Sequence, residues 1–280
     1  MVKFMRFGLV VAALMAMSVF VCGKANAEET KIVMDGSTTV GPIAKAFAEY
    51  FQKNHNINVT VSESGSGNGA KGILNGTCDI GNMSRFMKDN EFKACVEKGV
   101  YPVAHAIALD GLPIIVHPSN PVKNLTIDQI RDIFTGKIKN WKEVGGADLA
   151  IVTISRDTNS GTYETFEGII MHKEKIQEGC EYVGSNGQMR ARVSSTPAAI
   201  GYAGIGFLDR TVKAVTVNGI EVSVENIQSG VYPIARALYM FTNGYPKMGT
   251  PIFRMVTMHL TRDGQKMIEE IGFVPVTNYR

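Results

Sequence analysis

The stretch KIVMDGSTTVGPIAKAFAEYF, residues 31–51, decides the fold class. Lys31 to Met34 reads as a short strand, and Gly36-Ser37-Thr38-Thr39 interrupts it. Val40, Ile43, Ala44, Phe47 and Phe51 then recur at the spacing of one helix face. Pro42 is compatible with a helix only in its first turn, so the helix starts near Ser37–Thr39. Strand, hydroxyl-rich loop and helix in that order are the grammar of a parallel α/β sheet.

The same order repeats downstream. Ile57 to Val61 alternates as a second strand, Ser64–Gly69 is a Gly-rich loop, and a short helix runs to about Leu74. Cys78 to Gly81 forms a third strand ending at Asn82-Met83-Ser84-Arg85. The apolar runs Val103–Leu109 and Pro113–Val116 flank Asp110-Gly111, where the chain is expected to cross into a second lobe. That lobe holds a helix around Ile127–Phe134, a strand at Ala150–Ile154, a helix from Ser160 to about Met171, and strands at Ala199–Tyr202 and Val212–Val217. Tyr239–Phe241 reads as a strand re-entering the first lobe, and helices near Pro251–His259 and Asp263–Ile271 close the chain. The expected division is residues 28–108 with 237–280 for one lobe and 109–236 for the other. Two α/β lobes joined by two crossings take their ligand in the cleft between them, at strand C-terminal ends.

Residues 1–27 read as an address. Lys3 and Arg6 precede an uncharged apolar run from Gly8 to Cys22, and Ala25-Asn26-Ala27 supplies a small-x-small cleavage pattern. Export to the periplasm with cleavage after Ala27 is expected. Cys22 offers a lipidation alternative, but Val19-Phe20-Val21 lacks the small residues such a site needs. With Lys3, Arg6 and Lys24 removed, the 29 bases of the chain fall to parity with its 26 acids. Neutrality argues against a nucleic-acid surface, and a monomer is expected. The remaining cysteines, Cys78, Cys95 and Cys180, leave at least one unpaired. Cys78 and Cys95 could bridge only if their geometry allows it. The five histidines show no metal-ligand spacing, and no cofactor is expected. Gly67, Gly69 and Gly72 spell G-x-G-x-x-G, but no acid closes the following strand where a dinucleotide site needs one.

Gly36-Ser37-Thr38-Thr39, Gly65-Ser66-Gly67-Asn68-Gly69 and Ser160-Gly161-Thr162 share one physical idea. Each joins a strand to a helix start, where unpaired backbone N–H groups and hydroxyls suit an anion. One such loop is ordinarily just a helix cap. Three in one α/β chain, with Arg85 and Arg156 beyond strand ends, point to a dianion held by hydroxyls and guanidinium groups.

These residues resemble the phosphate-binding proteins of ABC transporters. The resemblance rests on Gly36-Ser37-Thr38-Thr39-Val40, Gly65-Ser66-Gly67, Asp79-Ile80-Gly81-Asn82-Met83-Ser84-Arg85 and Arg156-Asp157-Thr158-Asn159-Ser160-Gly161-Thr162. Leu125-Thr126, Ile133-Phe134-Thr135-Gly136-Lys137-Ile138, Asn140-Trp141 and Ala199-Ile200-Gly201-Tyr202 extend it over most of the chain. It implies a type II periplasmic-binding-protein fold, inorganic phosphate as ligand and permease subunits in the inner membrane as partner. Carried over motif by motif, the site is Ser37, Thr38, Thr39, Ser66, Ser84, Arg85, Arg156, Ser160, Gly161 and Thr162. Where the family pattern has an aspartate to accept the phosphate proton, this chain has Ser84. Glu63, Asp35 and Asp157 are then the candidate acceptors. A receptor for sulfate, molybdate or tungstate is the alternative. An exported phosphatase would need an activated nucleophile or metal cluster, and the sequence offers neither.

Overall fold

The computed structural model describes residues 31–277; the expected leader, its expected cleavage site and Cys22 lie outside them. The first part of the chain alternates β1 (Lys31–Gly36), α1 (Gly41–His55), β2 (Asn58–Ser62), α2 (Ser66–Asn75), β3 (Ile80–Met83) and α3 (Asp89–Glu97). The long β4 (Pro102–Gly111) leads into β5 (Ile114–Val116), β6 (Asn124–Leu125), α4 (Ile127–Thr135), β7 (Val152–Arg156), α5 (Gly161–Phe166), β8 (Glu181–Val183) and α6 (Asn186–Ser194). β9 (Ala199–Tyr202), β10 (Lys213–Val217) and α7 (Val224–Gln228) follow. The chain returns through β11 (Ala235–Asn243) to α8 (Pro251–Thr257), α9 (Arg262–Ile271) and β12 (Val274–Pro275).

Two six-stranded sheets result, ordered β12-β4-β11-β3-β1-β2 and β6-β10-β5-β9-β7-β8. They form two α/β lobes. β1 lies parallel to β2 and β3, as the strand–loop–helix reading requires. The sheets are nevertheless mixed. β11 runs antiparallel to β3 and β4, and β5 antiparallel to β9 and β10. The physical reason is the crossing itself. β4 leaves the first lobe and β11 re-enters it, so the two must run in opposite directions, and they pair from Ala235↔Gly111 to Asn243↔Pro102. The re-entering strand is therefore longer than Tyr239–Phe241.

Each sheet is covered by the helices its own loops launch. Ile43, Ala44, Phe47 and Phe51 of α1 are buried with Ile32, Met34 and Ile80. α1 begins at Gly41 rather than in the Ser37–Thr39 loop, which stays a turn, and Pro42 falls in its first turn. In the second lobe Phe134, Trp141, Phe166 and Tyr202 centre the core. The Phe166 and Tyr202 rings stack at 4.0 Å, 8° from parallel. The helix expected from Ser160 to Met171 is α5 followed by a widened π-type turn, Glu167–Met171.

Cys78, Cys95 and Cys180 are buried free thiols, so no Cys78–Cys95 bridge forms. Burial raises all three, Cys78 to about 12 and Cys180 to about 11, and keeps them protonated and unreactive.

Candidate anion-binding site

The strand–loop–helix turns of the two lobes meet face to face. In the first lobe the Ser37 hydroxyl accepts hydrogen bonds from the backbone N–H of Thr39 (3.1 Å) and Val40 (3.4 Å), shaping the loop before α1. In the second, the Ser160 hydroxyl accepts from the N–H groups of Thr162 and Tyr163, both at 3.2 Å. Ser160 therefore caps α5, the role most such residues have, whereas Ser37 closes the turn ahead of α1, and each keeps its own O–H to donate.

Three contacts close the interface. The Thr39 and Thr162 hydroxyls lie 3.0 Å apart. Arg156 donates through Nη2 to the Thr38 hydroxyl at 3.3 Å. The start of α5 abuts Ser66 and Ser84, whose hydroxyls are 3.3 Å apart. A Cβ at position 161 would come within 2.5 Å of Ser66 Oγ and 2.8 Å of Ser84 Oγ, so only glycine fits. Gly65, at φ +104°, lets its loop approach within reach of the Asn159 carbonyl in the same way. Ser37, Thr38, Thr39, Ser66, Ser84, Arg156, Ser160 and Thr162 are all buried.

Arg156 carries the electrostatics. It ends β7 at 1% exposure. Its Nε donates to the Val183 carbonyl (3.1 Å) and its Nη2 to the Gly184 carbonyl (2.9 Å). Nη1 has no partner within the protein. The neighbouring strand holds it in place, since the buried Tyr202 hydroxyl accepts from Arg156 N–H at 3.2 Å and contacts Ser155 Oγ at 2.7 Å. Burial pulls the Arg156 guanidinium down to about 10, so it remains a cation at neutral pH. No carboxylate pairs with it among the described residues. An unpaired buried cation is costly unless a counter-charge arrives.

Arg85 does not join this cluster. Its Nη1 and Nη2 donate to both carboxylate oxygens of Glu91 (2.8 and 2.7 Å), Nη1 also reaches the Phe86 carbonyl, and Nε lies 2.6 Å from Glu164 of α5. Two carboxylates already neutralise it, so its expected role as an anion ligand gives way to that of an ionic link across the cleft. The nominated proton acceptors are also engaged elsewhere. Glu63 pairs with Lys45 at 2.6 Å, Asp35 accepts from the Ser64 hydroxyl, and Asp157 accepts from Asn159 N–H.

Two residues that sequence reading passed over complete the site. Arg236, on β11, pairs with the fully buried Asp110 of β4 at 2.7 Å. It also donates to the Gly161 carbonyl (3.1 Å), the Thr162 hydroxyl (3.0 Å) and, more distantly, the Thr39 hydroxyl (3.4 Å). Burial raises the Asp110 carboxyl and Arg236 opposes that rise. Asn186, the first residue of α6, donates through Nδ2 to the hydroxyls of Thr38 (3.1 Å) and Thr39 (2.9 Å). The one available signal was placement: Asp110 and Arg236 sit at the two crossings, and Asn186 follows a strand end at a helix start.

Two sheets linked by the two chain crossings that follow β4 and precede β11, with hydroxyls and an unpaired cation between them, define a class: the two-lobed solute-binding proteins. Residues 23–256 match the model of the PBP superfamily domain. Protein SphX of Synechococcus elongatus is 34% identical over 94% of this chain and 83% of its own length. The phosphate-binding protein PstS of Bacillus subtilis is 31% identical over 92% of this chain and 87% of its own. Among solved structures, a phosphate ABC transporter substrate-binding protein from Clostridium perfringens, with bound phosphate, superposes at a TM-score of 0.81. It is 33% identical and covers 89% of this chain and 100% of its own. The chain belongs to the PBP superfamily, within the Pst-type phosphate-binding protein family. That family consists of substrate-binding transport proteins.

Proposed function

We propose that the protein captures inorganic phosphate in the periplasm and delivers it to an ABC permease, without covalent chemistry. The observation that carries this reading is Arg156, a buried guanidinium with no carboxylate partner, held by second-lobe carbonyls and donating to the Thr38 hydroxyl of the first lobe. A tetrahedral dianion supplies the missing charge and accepts from guanidinium, hydroxyl and helix-start N–H groups together. The proposed ligands are Thr38, Ser66, Ser84, Arg156, Gly161 and Thr162, with Ser37, Thr39 and Ser160 shaping the loops. The lobes are assigned as residues 28–108 with 237–280, and 109–236, hinged where the chain leaves β4 and enters β11. The nearest oxyanion competitor is sulfate. Because Glu63, Asp35 and Asp157 are engaged elsewhere, phosphate selectivity rests on the Ser66–Ser84 pair, whose oxygens can accept a ligand proton. Competition calorimetry tests the reading: phosphate binds the stripped protein and excess sulfate displaces it only modestly. Stronger binding of sulfate than of phosphate would overturn it.

A further inference from the structure

Hydrogen-bond direction across the site is fixed by donors that cannot accept. The Asn186 amide has its Oδ1 tied to Gly204 N–H at 3.2 Å, which leaves Nδ2 to face the threonines. Reversing the amide would set N–H against N–H. The two Nδ2 protons go to Thr38 Oγ1 and Thr39 Oγ1. Thr38 Oγ1 also accepts from Arg156 Nη2, which fills its acceptor capacity and leaves its proton to donate. Thr39 Oγ1 receives Asn186 and, at longer range, Arg236, so its proton passes to Thr162 Oγ1, 3.0 Å away. Thr162 Oγ1 already accepts from Arg236 Nη2 at 3.0 Å, so its own proton is left free in turn. The amide, with Arg156 and Arg236, therefore sets the polarity of three hydroxyls without being a ligand itself.

We infer that Asn186 is a specificity-determining positioning residue, locking the Thr38 and Thr162 hydroxyls as donors so that the site takes phosphate in its less protonated, dianionic form. The inference rests on the phosphate reading. Asn186 is fully buried, belongs to the second lobe and reaches threonines of the first, so it imposes this polarity only when the lobes are together. The acceptor side is confined to Ser66 and Ser84, where Ser66 Oγ accepts from Ser84 N–H at 3.1 Å and the paired hydroxyls can still turn. Such a shell has room for one ligand proton and many ligand lone pairs.

The test is the pH profile of inorganic phosphate affinity in the full-length protein, measured by calorimetry through the second ionisation of phosphate. The parent binds more tightly as the dianion forms. Asn186→Leu has nearly the same size and neither donor nor acceptor. It frees the hydroxyls to accept a proton, so the preference for dianion over monoanion should shrink by about tenfold, the scale of one hydrogen bond to a charged group. Asn186→Asp turns both threonine hydroxyls towards its carboxylate and should reverse the slope, with affinity falling as pH rises. Ser185→Ala removes only the cap of the same helix, whose hydroxyl accepts from Gln188 N–H. It separates helix loss from hydroxyl polarity and should keep the parental slope. If Asn186→Leu weakens binding equally at every pH, Asn186 is merely structural and the inference is overturned. Should Asn186→Leu fail to fold, a parental slope in Asn186→Asp overturns it equally. A parent that takes up no phosphate removes the functional reading, and this inference with it.

Discussion

Arg156 is the residue on which the proposed binding turns. Three of its five N–H donors are engaged by the protein, and the two on Nη1 are not. Arg156→Ala should weaken phosphate binding by about 2–5 kcal/mol, the range for truncating one partner of a buried charged pair. Calorimetry checks it, and an unchanged affinity would remove Arg156 from the site. A second residue-scale prediction concerns acid. His259 is 6% exposed, its Nδ1 lacks a partner, and burial, with His105 nearby, lowers it to about 4. The unfolded chain binds this proton from about pH 6.5, the folded protein only near pH 4. Stability contributed by the neutral ring is therefore complete above that upper value and is lost as pH falls through the window. The total loss is about 3 kcal/mol. Denaturant titrations of the parent and His259→Gln at pH 7 and pH 4.5 (chosen to bracket ~6.5) should show a smaller acid loss in the variant. Equal losses would place the acid sensitivity elsewhere.

At the scale of elements, the cleft mouth is held by α5. Glu164 lies 2.6 Å from Arg85 and 3.1 Å from Lys88, both on the loop that follows β3. The Arg85 and Glu164 side chains are 9% and 12% exposed, so salt screens this link less than a surface pair. Glu164→Gln should speed phosphate release several-fold, about 1 kcal/mol, while association changes little. Stopped-flow release kinetics measure it, and an unaltered release rate would mean the link adds nothing to closure. The same elements show what a sequence can and cannot carry. Strand, Ser/Thr loop and helix are local patterns, so β1, α1, α2, β3 and the α5 start were readable, as were the hydroxyls and Arg156 that sit on them. Arg85 also ends a strand, but the direction of its guanidinium is set by Glu91 and by Glu164 from the other lobe, which no local pattern encodes. Asn186 and Arg236 act through partners 147 and 126 residues away, Thr39 and Asp110; lobe packing brings the first pair together and the long-range pairing of β11 with β4 the second. Sheet polarity followed the same rule: parallel pairs were legible, whereas the antiparallel crossings depend on the path between lobes.

For the whole molecule, the Thr39–Thr162, Arg156–Thr38 and Asn186–threonine hydrogen bonds join residues of different lobes, so the candidate site is complete only when the lobes are together. Ligand favours that state by the contacts it makes there and not in an open form. Small-angle scattering should show the phosphate-saturated protein as more compact than the phosphate-free protein. Identical profiles at proven saturation would count against hinge closure. The central claim, that an unpaired buried cation makes this protein a phosphate receptor, is tested most directly by one calorimetric comparison. Stripped parent and Arg156→Ala are each titrated with inorganic phosphate at neutral pH. The account predicts one saturable site in the parent and a drop of at least about thirtyfold in the variant, the lower end of the expected loss. Parent and variant binding phosphate alike, or a parent that binds none, would contradict it.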